Sequence, residues 1–189
     1  MDNKKDSKYW NNFYKDFNVI ESSDFAKFVM KYFHNHKLNT ILDVGCGNGR
    51  DSIFFSSKYK VTGIDHSIKL ENKTNFEFVS TNFIDFNKKN FDIIYSRFTF
   101  HSITDNEQEK FIKSVCPNSY LCIETRSILG KNDIRHHGDN HFRNFTDINY
   151  LKKMLLDNNF TILFIEEANN FAIYKEENPI CIRVICQKK

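Results

Sequence analysis

The feature that most constrains the fold of this chain is an apolar segment, residues 41–44, that runs into a glycine-rich turn and then into a helical segment. Gly45, Gly47 and Gly49 alternate with other residues there, and a backbone without side chains can bend tightly and approach a ligand closely. The second predicted strand ends at Asp65, about 20 residues further on, where a carboxylate can accept hydrogen bonds from both ribose hydroxyls. The pattern predicts a nucleotide-type ligand at the carboxyl ends of two parallel strands.

Apolar runs alternate along the chain with helical or polar segments, which favours a parallel sheet covered by helices on both faces. The predicted strands span residues 40–44, 60–65, 76–79, 91–96, 120–124, 161–166 and 180–187. The predicted helices span residues 24–33, 51–57, 105–115 and 147–157, the first of them capped by Ser23. Residues 130–145 are polar and rich in His, Asn and Asp, and we interpret them as a functional loop or lid.

Composition limits the class of protein. A chain of 189 residues with 40% hydrophobic residues can form one ordinary α/β domain with its own core. A net charge of +3 without a basic block argues against nucleic acid as a partner. The polar N-terminus and the lack of a long apolar run predict a cytoplasmic protein that is not bound to a membrane. We expect a monomer or a homodimer. Five cysteines without a CxxC pair indicate buried free thiols.

The residue before the glycine turn helps to choose the ligand. Asp43 lies two positions before Gly45, and a carboxylate there suits a cofactor with an ammonium group better than one with a pyrophosphate. A nicotinamide-dependent oxidoreductase would carry the spacing G-x-G-x-x-G, whereas the third glycine here follows after one residue, at Gly49. The alternative is a turn that merely joins a strand to a helix, with Asp65 as a helix cap.

An acid followed by x-Gly-x-Gly-x-Gly, with a second acid at the end of strand two, resembles the first motifs of the class I S-adenosylmethionine-dependent methyltransferase family. The resemblance implies a Rossmann-like, seven-stranded, mostly parallel α/β sheet of order 3-2-1-4-5-7-6, with strand 7 antiparallel and helices on both faces. It covers residues 1–189 as a single domain, in which an N-terminal helical segment, residues 1–37, covers the cofactor side. The implied cofactor is S-adenosyl-L-methionine and the implied product is S-adenosyl-L-homocysteine.

The same resemblance implies which residues contact the cofactor. Asn82 and Phe83 follow strand three, where the family contacts adenine, and residues 95–98 end strand four beside the transferred methyl group. An acid is more usual at Asn82, but its amide oxygen can still accept a hydrogen bond from the adenine amino group. The predicted cofactor contacts are Asp43, Gly45, Gly47, Gly49, Asp65, His66, Asn82, Phe83 and Ser96.

His101, just beyond the fourth strand, is the predicted general base. It should lie on the side of the cofactor's reactive end, and a hydroxyl acceptor must lose a proton when it is methylated. The alternative is that His101 packs beneath or caps the following helix.

Residues predicted to contact the acceptor lie on strand ends, in the polar loop and near the N-terminus: Tyr14, Arg97, Glu124, Arg126, His141 and Arg143. Guanidinium groups suit a carboxylate or phosphate on the acceptor, and Glu124 could pair with Arg126 or Arg143 or orient a histidine. Tyr14 belongs to an aromatic cluster with Tyr9, Trp10 and Phe13, which could fold over the cofactor or pack an N-terminal helix.

A metal site is not predicted. His136, His137 and His141 lie close together in sequence, but there is no HExxH and no interleaved cysteine. Contact with the acceptor and a solvated loop without chemistry remain alternatives for each of the three.

The predicted acceptor is a small molecule. Strand four is not followed by the Asp/Asn-Pro-Pro-aromatic motif of DNA amino-methyltransferases, and the chain has no room for the extra barrel of protein arginine methyltransferases. Its segments resemble small bacterial methyltransferases of sugars or surface-glycan precursors, which suggests O-methylation of a carbohydrate or phosphorylated metabolite, as in capsular polysaccharide biosynthesis. The alternatives are a small-molecule N-methyltransferase, a non-catalytic cofactor-binding module and an oxidoreductase.

Overall fold

The computed structural model describes residues 20–66, 69–130 and 143–189. Seven strands form one sheet in the order β3-β2-β1-β4-β5-β7-β6. They are Thr40–Val44 (β1), Lys60–Asp65 (β2), Phe76–Ser80 (β3), Ile93–Arg97 (β4), Tyr120–Arg126 (β5), Phe160–Ala168 (β6) and Cys181–Lys188 (β7). Strands β1 to β5 pair in parallel, whereas β7 runs antiparallel to β5 and β6. The predicted order and the reversed seventh strand are confirmed.

The described residues form four α-helices: Asp24–Tyr32 (α1), Arg50–Phe55 (α2), Asp105–Lys113 (α3) and Ile148–Asp157 (α4). The predicted cap of α1 is confirmed, because the Ser23 side chain accepts a hydrogen bond of 3.1 Å from the backbone N–H of Ala26. Asp147 caps α4 in the same way through Asn149 and Tyr150.

Helices cover both faces of the sheet, as the alternation of apolar segments predicts. On one face Phe25 of α1 and Phe55 of α2 pack around Tyr95 of β4. On the other face Phe111 of α3 and Leu155 of α4 pack against the opposite sides of the same central strands. The sheet is therefore buried between two apolar layers.

Strands β4 and β5 extend further than the sequence pattern predicts, to Arg97 and Arg126 instead of residues 96 and 124. The apolar pattern ends at these charged residues, but Arg97 and Glu124 pair with each other in register and stay inside the sheet. The extension places both arginines at the carboxyl ends of the central strands.

Among the helices of the described residues, none combines the length and the hydropathy that crossing a membrane requires.

Candidate cofactor and acceptor site

The glycine turn after β1 is held between two neighbouring segments. Gly45, Gly47 and Gly49 all have positive φ, between 53° and 75°, which residues with side chains rarely adopt. The backbone N–H of Gly45 donates to Ile64 of β2 at 2.8 Å, and a side chain on Gly45 would overlap the side chain of Thr99. Thr99 lies against this turn because its hydroxyl donates to the Val44 carbonyl at 2.8 Å.

Asp65 at the end of β2 meets this turn directly. Its Oδ2 accepts a hydrogen bond of 3.0 Å from the backbone N–H of Gly47, and the residue is half-buried. His66 follows at an exposed position. The carboxyl ends of β1 and β2 thus bring the predicted ribose acid to the predicted close-approach turn.

Asp43 lies beneath the turn, with 2% of its surface exposed. Burial and the nearby charge of Asp51 raise the pKa of its carboxyl group to about 8, although a hydrogen bond of 2.5 Å from the Ser52 hydroxyl opposes the rise. A buried carboxyl group surrounded by Asp51 and Asp65 favours a positive charge nearby. These carboxyl groups therefore fit a cationic cofactor with an ammonium group and a sulfonium, and they suit a pyrophosphate poorly.

Asp51 forms a buried network that the sequence does not reveal. Its carboxylate accepts hydrogen bonds of 2.7 Å from the Ser23 backbone, the Ser23 hydroxyl and the Tyr95 hydroxyl. The network joins the start of α1, the first turn of α2 and β4. Its partners are 28 and 44 positions away along the chain, so no local pattern could have indicated them.

The segment after β3 is held by a buried lysine. Lys88 Nζ donates to the carbonyls of Phe83 at 2.8 Å and Phe86 at 3.1 Å, and burial lowers its pKa to about 8. Asn82 is exposed and its side-chain oxygen accepts from the Ile84 backbone at 2.9 Å. The Phe83 ring packs against Phe111 in the core, with 5.9 Å between ring centroids.

Ser96 is buried in β4, in register with Val44 of β1 and Ile123 of β5. The cofactor contacts predicted for Ser96, Asn82 and Phe83 remain predictions.

His101 lies in a short 3-10 helix, Phe100–Ser102, after β4 and is 3% exposed. Its Nδ1 faces the backbone N–H of Arg126 at 3.3 Å, with the Thr125 hydroxyl at 3.5 Å. Since a backbone N–H can only donate, Nδ1 is the acceptor and the neutral ring carries its proton on Nε2. The Asn144 backbone holds the His101 carbonyl at 2.7 Å.

Glu124 is fully buried between two arginines. Its two carboxylate oxygens accept from Arg97 Nε at 2.8 Å and from Arg183 Nε at 2.6 Å. The pairing of Glu124 with Arg126 or Arg143 that the sequence suggested is therefore wrong, because Arg97 and Arg183 occupy both of its oxygens. Arg183 reaches Glu124 across the antiparallel β5–β7 pair. Glu124 is buried with both of its oxygens engaged, and its predicted contact with an acceptor remains a prediction.

Arg126 has a separate partner, Glu177, at 3.1 Å from its Nη2, and both residues are buried. Glu177 lies before β7 and was not among the predicted site residues.

Phe98 ends the segment that the family resemblance puts beside the transferred methyl group, but it was not among the predicted site residues. It has φ of +58°, a strained conformation for a bulky residue and a frequent mark of functional sites. Its ring lies 4.4 Å from the Arg97 guanidinium carbon, 5.5 Å from that of Arg126 and 5.4 Å from the His101 ring. The structure thus brings three predicted site residues together around one aromatic ring.

Several predicted residues lie outside the described part of the chain: Tyr9, Trp10, Phe13, Tyr14, His136, His137 and His141. Arg143 is half-buried at the beginning of the last described segment. Within residues 20–66, 69–130 and 143–189, no group of three or more His, Cys, Asp or Glu side chains is arranged to hold a metal ion.

The family model described as "Methyltransferase domain" matches residues 19–164 of the chain. No curated protein sequence matches this chain. Among solved structures, this chain is similar to the 1,6-didemethyltoxoflavin-N1-methyltransferase of Burkholderia thailandensis with bound 1,6-didemethyltoxoflavin and S-adenosylhomocysteine. The TM-score is 0.71 and the identity 14%, covering 100% of this chain and 86% of that chain.

Two further structures have the same fold. An S-adenosylmethionine-dependent methyltransferase from Methanosarcina mazei has a TM-score of 0.65 and 20% identity, covering 84% of this chain and 96% of that chain. TehB from Haemophilus influenzae has a TM-score of 0.68 and 19% identity, covering 94% of this chain and 66% of that chain. With the family match over residues 19–164 and the sheet order established above, the chain belongs to the class I S-adenosylmethionine-dependent methyltransferases and is an enzyme of that family.

Proposed function

We propose that this enzyme transfers a methyl group from S-adenosylmethionine to a small-molecule acceptor, bound over the carboxyl ends of β4 and β5. The observation that carries the proposal is the arrangement of Asp43, the glycine turn and Asp65, in which two acids flank a backbone shaped for close approach. When bound, the cofactor supplies an electrophilic methyl group on a sulfonium.

The chain's own residues would hold the cofactor at three points. Asp65 accepts from the ribose hydroxyls while its hydrogen bond to Gly47 keeps the carboxylate oriented. Asp43 stabilises the positive amino group, since a cation offsets the cost of burying its carboxylate. The segment of Asn82 and Phe83 lies at the adenine end, supported by Lys88.

Calorimetry of the purified protein with S-adenosylhomocysteine and, separately, with NAD tests this proposal. S-adenosylhomocysteine should bind and NAD should not, and Asp65→Ala should weaken the former by about 10-fold or more, because charge-assisted hydrogen bonds are lost. Glu109→Ala, on the exposed side of α3, is a control that should leave the affinity unchanged. Binding of NAD without binding of S-adenosylhomocysteine would eliminate the proposal.

We propose as acceptor a carbohydrate or a phosphorylated small metabolite, methylated on oxygen. Arg126 and Arg143 are the residues proposed to contact an anionic group of such an acceptor, with Phe98 as an apolar wall beside Arg126. Screening sugar nucleotides and phosphorylated metabolites for methyl uptake would identify the acceptor. Binding of cofactor without transfer to any compound would favour the non-catalytic module.

His101 as general base remains a prediction, and its geometry makes the test specific. The unprotonated Nδ1 faces the Arg126 backbone, so His101 has to give up this hydrogen bond before it accepts a proton there. His101→Asn keeps an acceptor atom for that N–H but cannot titrate. If His101 is the base, this variant should bind S-adenosylhomocysteine normally. With the acceptor that the screen identifies, its pH–rate profile should lose the acid limb. An unchanged profile would remove His101 from the mechanism.

The same observation favours N-methylation as the second candidate function. A neutral amine or ring nitrogen has its own lone pair and attacks a methyl group before any proton leaves, so it does not require the engaged Nδ1 of His101. Amines and nitrogen heterocycles therefore belong in the acceptor screen.

A further inference from the structure

Arg97 lies on the same face of the sheet as Asp43. Strand register pairs Asp43 of β1 with Tyr95 of β4, and Arg97 is two residues further toward the carboxyl end, so its side chain leaves the same face as that of Tyr95. Strand spacing and rise put the Cα atoms of Asp43 and Arg97 roughly 8 Å apart. An acidic and a cationic side chain thus lie near the glycine turn on neighbouring strands.

The guanidinium of Arg97 has hydrogen-bond donors left over. Among the described residues, only Glu124 accepts a hydrogen bond from this guanidinium, from Nε at 2.8 Å, and none accepts one from either terminal amino group. The side chain is 19% exposed. A guanidinium that is bound through Nε still presents the N–H donors of its terminal amino groups, which are suited to an anionic ligand.

Arg183, the other partner of Glu124, is more fully engaged than Arg97. It uses Nε for Glu124 and Nη2 for the Phe171 carbonyl at 2.7 Å. Glu124, bound on both oxygens, holds the Arg97 guanidinium from behind, and Phe98 covers it at 4.4 Å. The Arg97 side chain is therefore fixed in place before any ligand arrives.

Electrostatics link Arg97 to the acids beside the turn. Burial raises the pKa of Asp43, and Arg97 is among the groups that oppose this rise. Burial disfavours the Arg97 cation, but Glu124, Tyr95 and Asp51 raise its pKa overall, so Arg97 remains charged. A zwitterion with its ammonium group at Asp43 and its carboxylate at Arg97 would satisfy both residues.

We propose that Arg97 binds the α-carboxylate of the cofactor's amino acid end through its terminal amino groups, while Asp43 faces the α-ammonium group. This inference rests on the proposed binding of S-adenosylmethionine and moves Arg97 from the acceptor side, where the sequence placed it, to the cofactor side. It makes Glu124 and Phe98 residues that position a cofactor ligand.

The test compares S-adenosylhomocysteine with its decarboxylated form, which keeps the amine, by calorimetry on the wild-type chain and on Arg97→Met. Removing the carboxylate should weaken binding to the wild type by about 10- to 100-fold, the effect of one charge-assisted pair. Arg97→Met should bind both compounds equally, with the affinity that the wild type has for the decarboxylated one. In this variant Glu124 keeps Arg183 as its partner. If Arg97→Met does not fold, Arg97→Lys replaces it in the test, because lysine keeps the positive charge but lacks the bidentate geometry of a guanidinium.

Three outcomes are distinguishable. Wild-type protein that binds neither compound contradicts the proposed cofactor function itself. Arg97→Met (or Arg97→Lys) that binds both compounds as tightly as the wild type does contradicts the role of Arg97 and returns it to the acceptor. Equal losses for both compounds in the variant indicate a distorted site and also contradict a specific carboxylate contact.

Discussion

At the scale of single residues, burial determines what each charged group can do. Asp43 and Glu124 are both acids at strand ends, yet Glu124 has two arginine partners whereas Asp43 has one hydroxyl donor and two acids nearby. Glu124 is satisfied within the protein by its two arginines. Asp43 keeps its raised pKa until a cation binds.

The raised pKa of Asp43 predicts how stability depends on pH. Because the folded-state value of about 8 lies above the ordinary value of about 3.9, the folded protein binds an extra proton between these limits, and the free energy of unfolding should fall as pH rises through this window. The slope should approach, at most, about 1.4 kcal/mol per pH unit.

Asp43→Asn keeps the shape without the titration, so its unfolding free energy should not show this fall. Urea unfolding at several pH values measures the difference, and saturating S-adenosylhomocysteine should shrink it by placing a cation beside Asp43. Parallel pH profiles for the two proteins without ligand would contradict this account.

At the scale of elements, α3 supports the His101 segment. Gln108 of α3 donates to the Phe100 carbonyl at 2.9 Å, and Asn144 bridges the Ile103 carbonyl and Asp105 at 3.1 and 2.7 Å. The helix begins with a capping box, in which the Thr104 backbone N–H donates to Glu107 at 2.9 Å and the Glu107 N–H donates back to the Thr104 hydroxyl. The position of His101 therefore depends on where α3 starts.

Removing this cap should weaken the helix without changing the core. Thr104→Ala should lower the free energy of unfolding by about 1 kcal/mol, as for other N-cap substitutions. A double-mutant cycle with Glu107→Ala should show favourable coupling because each residue satisfies the other. Lys113→Ala in the last turn, whose ion pair with Glu109 is exposed, is the control and should change stability by less than about 0.5 kcal/mol. Additive effects of Thr104→Ala and Glu107→Ala would contradict the reciprocal coupling of the two residues.

At the scale of the whole molecule, the sheet order brings the site together. Strand β1 lies between β2 and β4, so the turn after it meets Asp65 on one side and Thr99 on the other. The change of direction of the connections at β1 opens a crevice there, which is where open α/β sheets bind ligands. The reversed β7 then delivers Arg183 from the far end of the chain to Glu124.

Much of the fold and part of the cofactor site could be predicted from local sequence patterns. Apolar runs and the glycine turn determine where β1, β2 and α1 begin and end to within a residue, because buried strands, capped helices and positive φ each require particular residue types nearby in sequence. Asp65 could be predicted beside the turn for the same reason, since strand ends that share a sheet edge lie close together.

The partners of buried charges were decided only by tertiary structure. Glu124 pairs with Arg183 across 59 positions and Asp51 with Tyr95 across 44, and hydrogen bonding between distant residues leaves no periodic trace in a sequence. The strained φ of Phe98 and the orientation of the His101 ring likewise follow from packing between β4, β5 and the segment after them. Local chemistry thus indicated which ligand the chain suits, whereas the fold determined which side chains remain available to bind it.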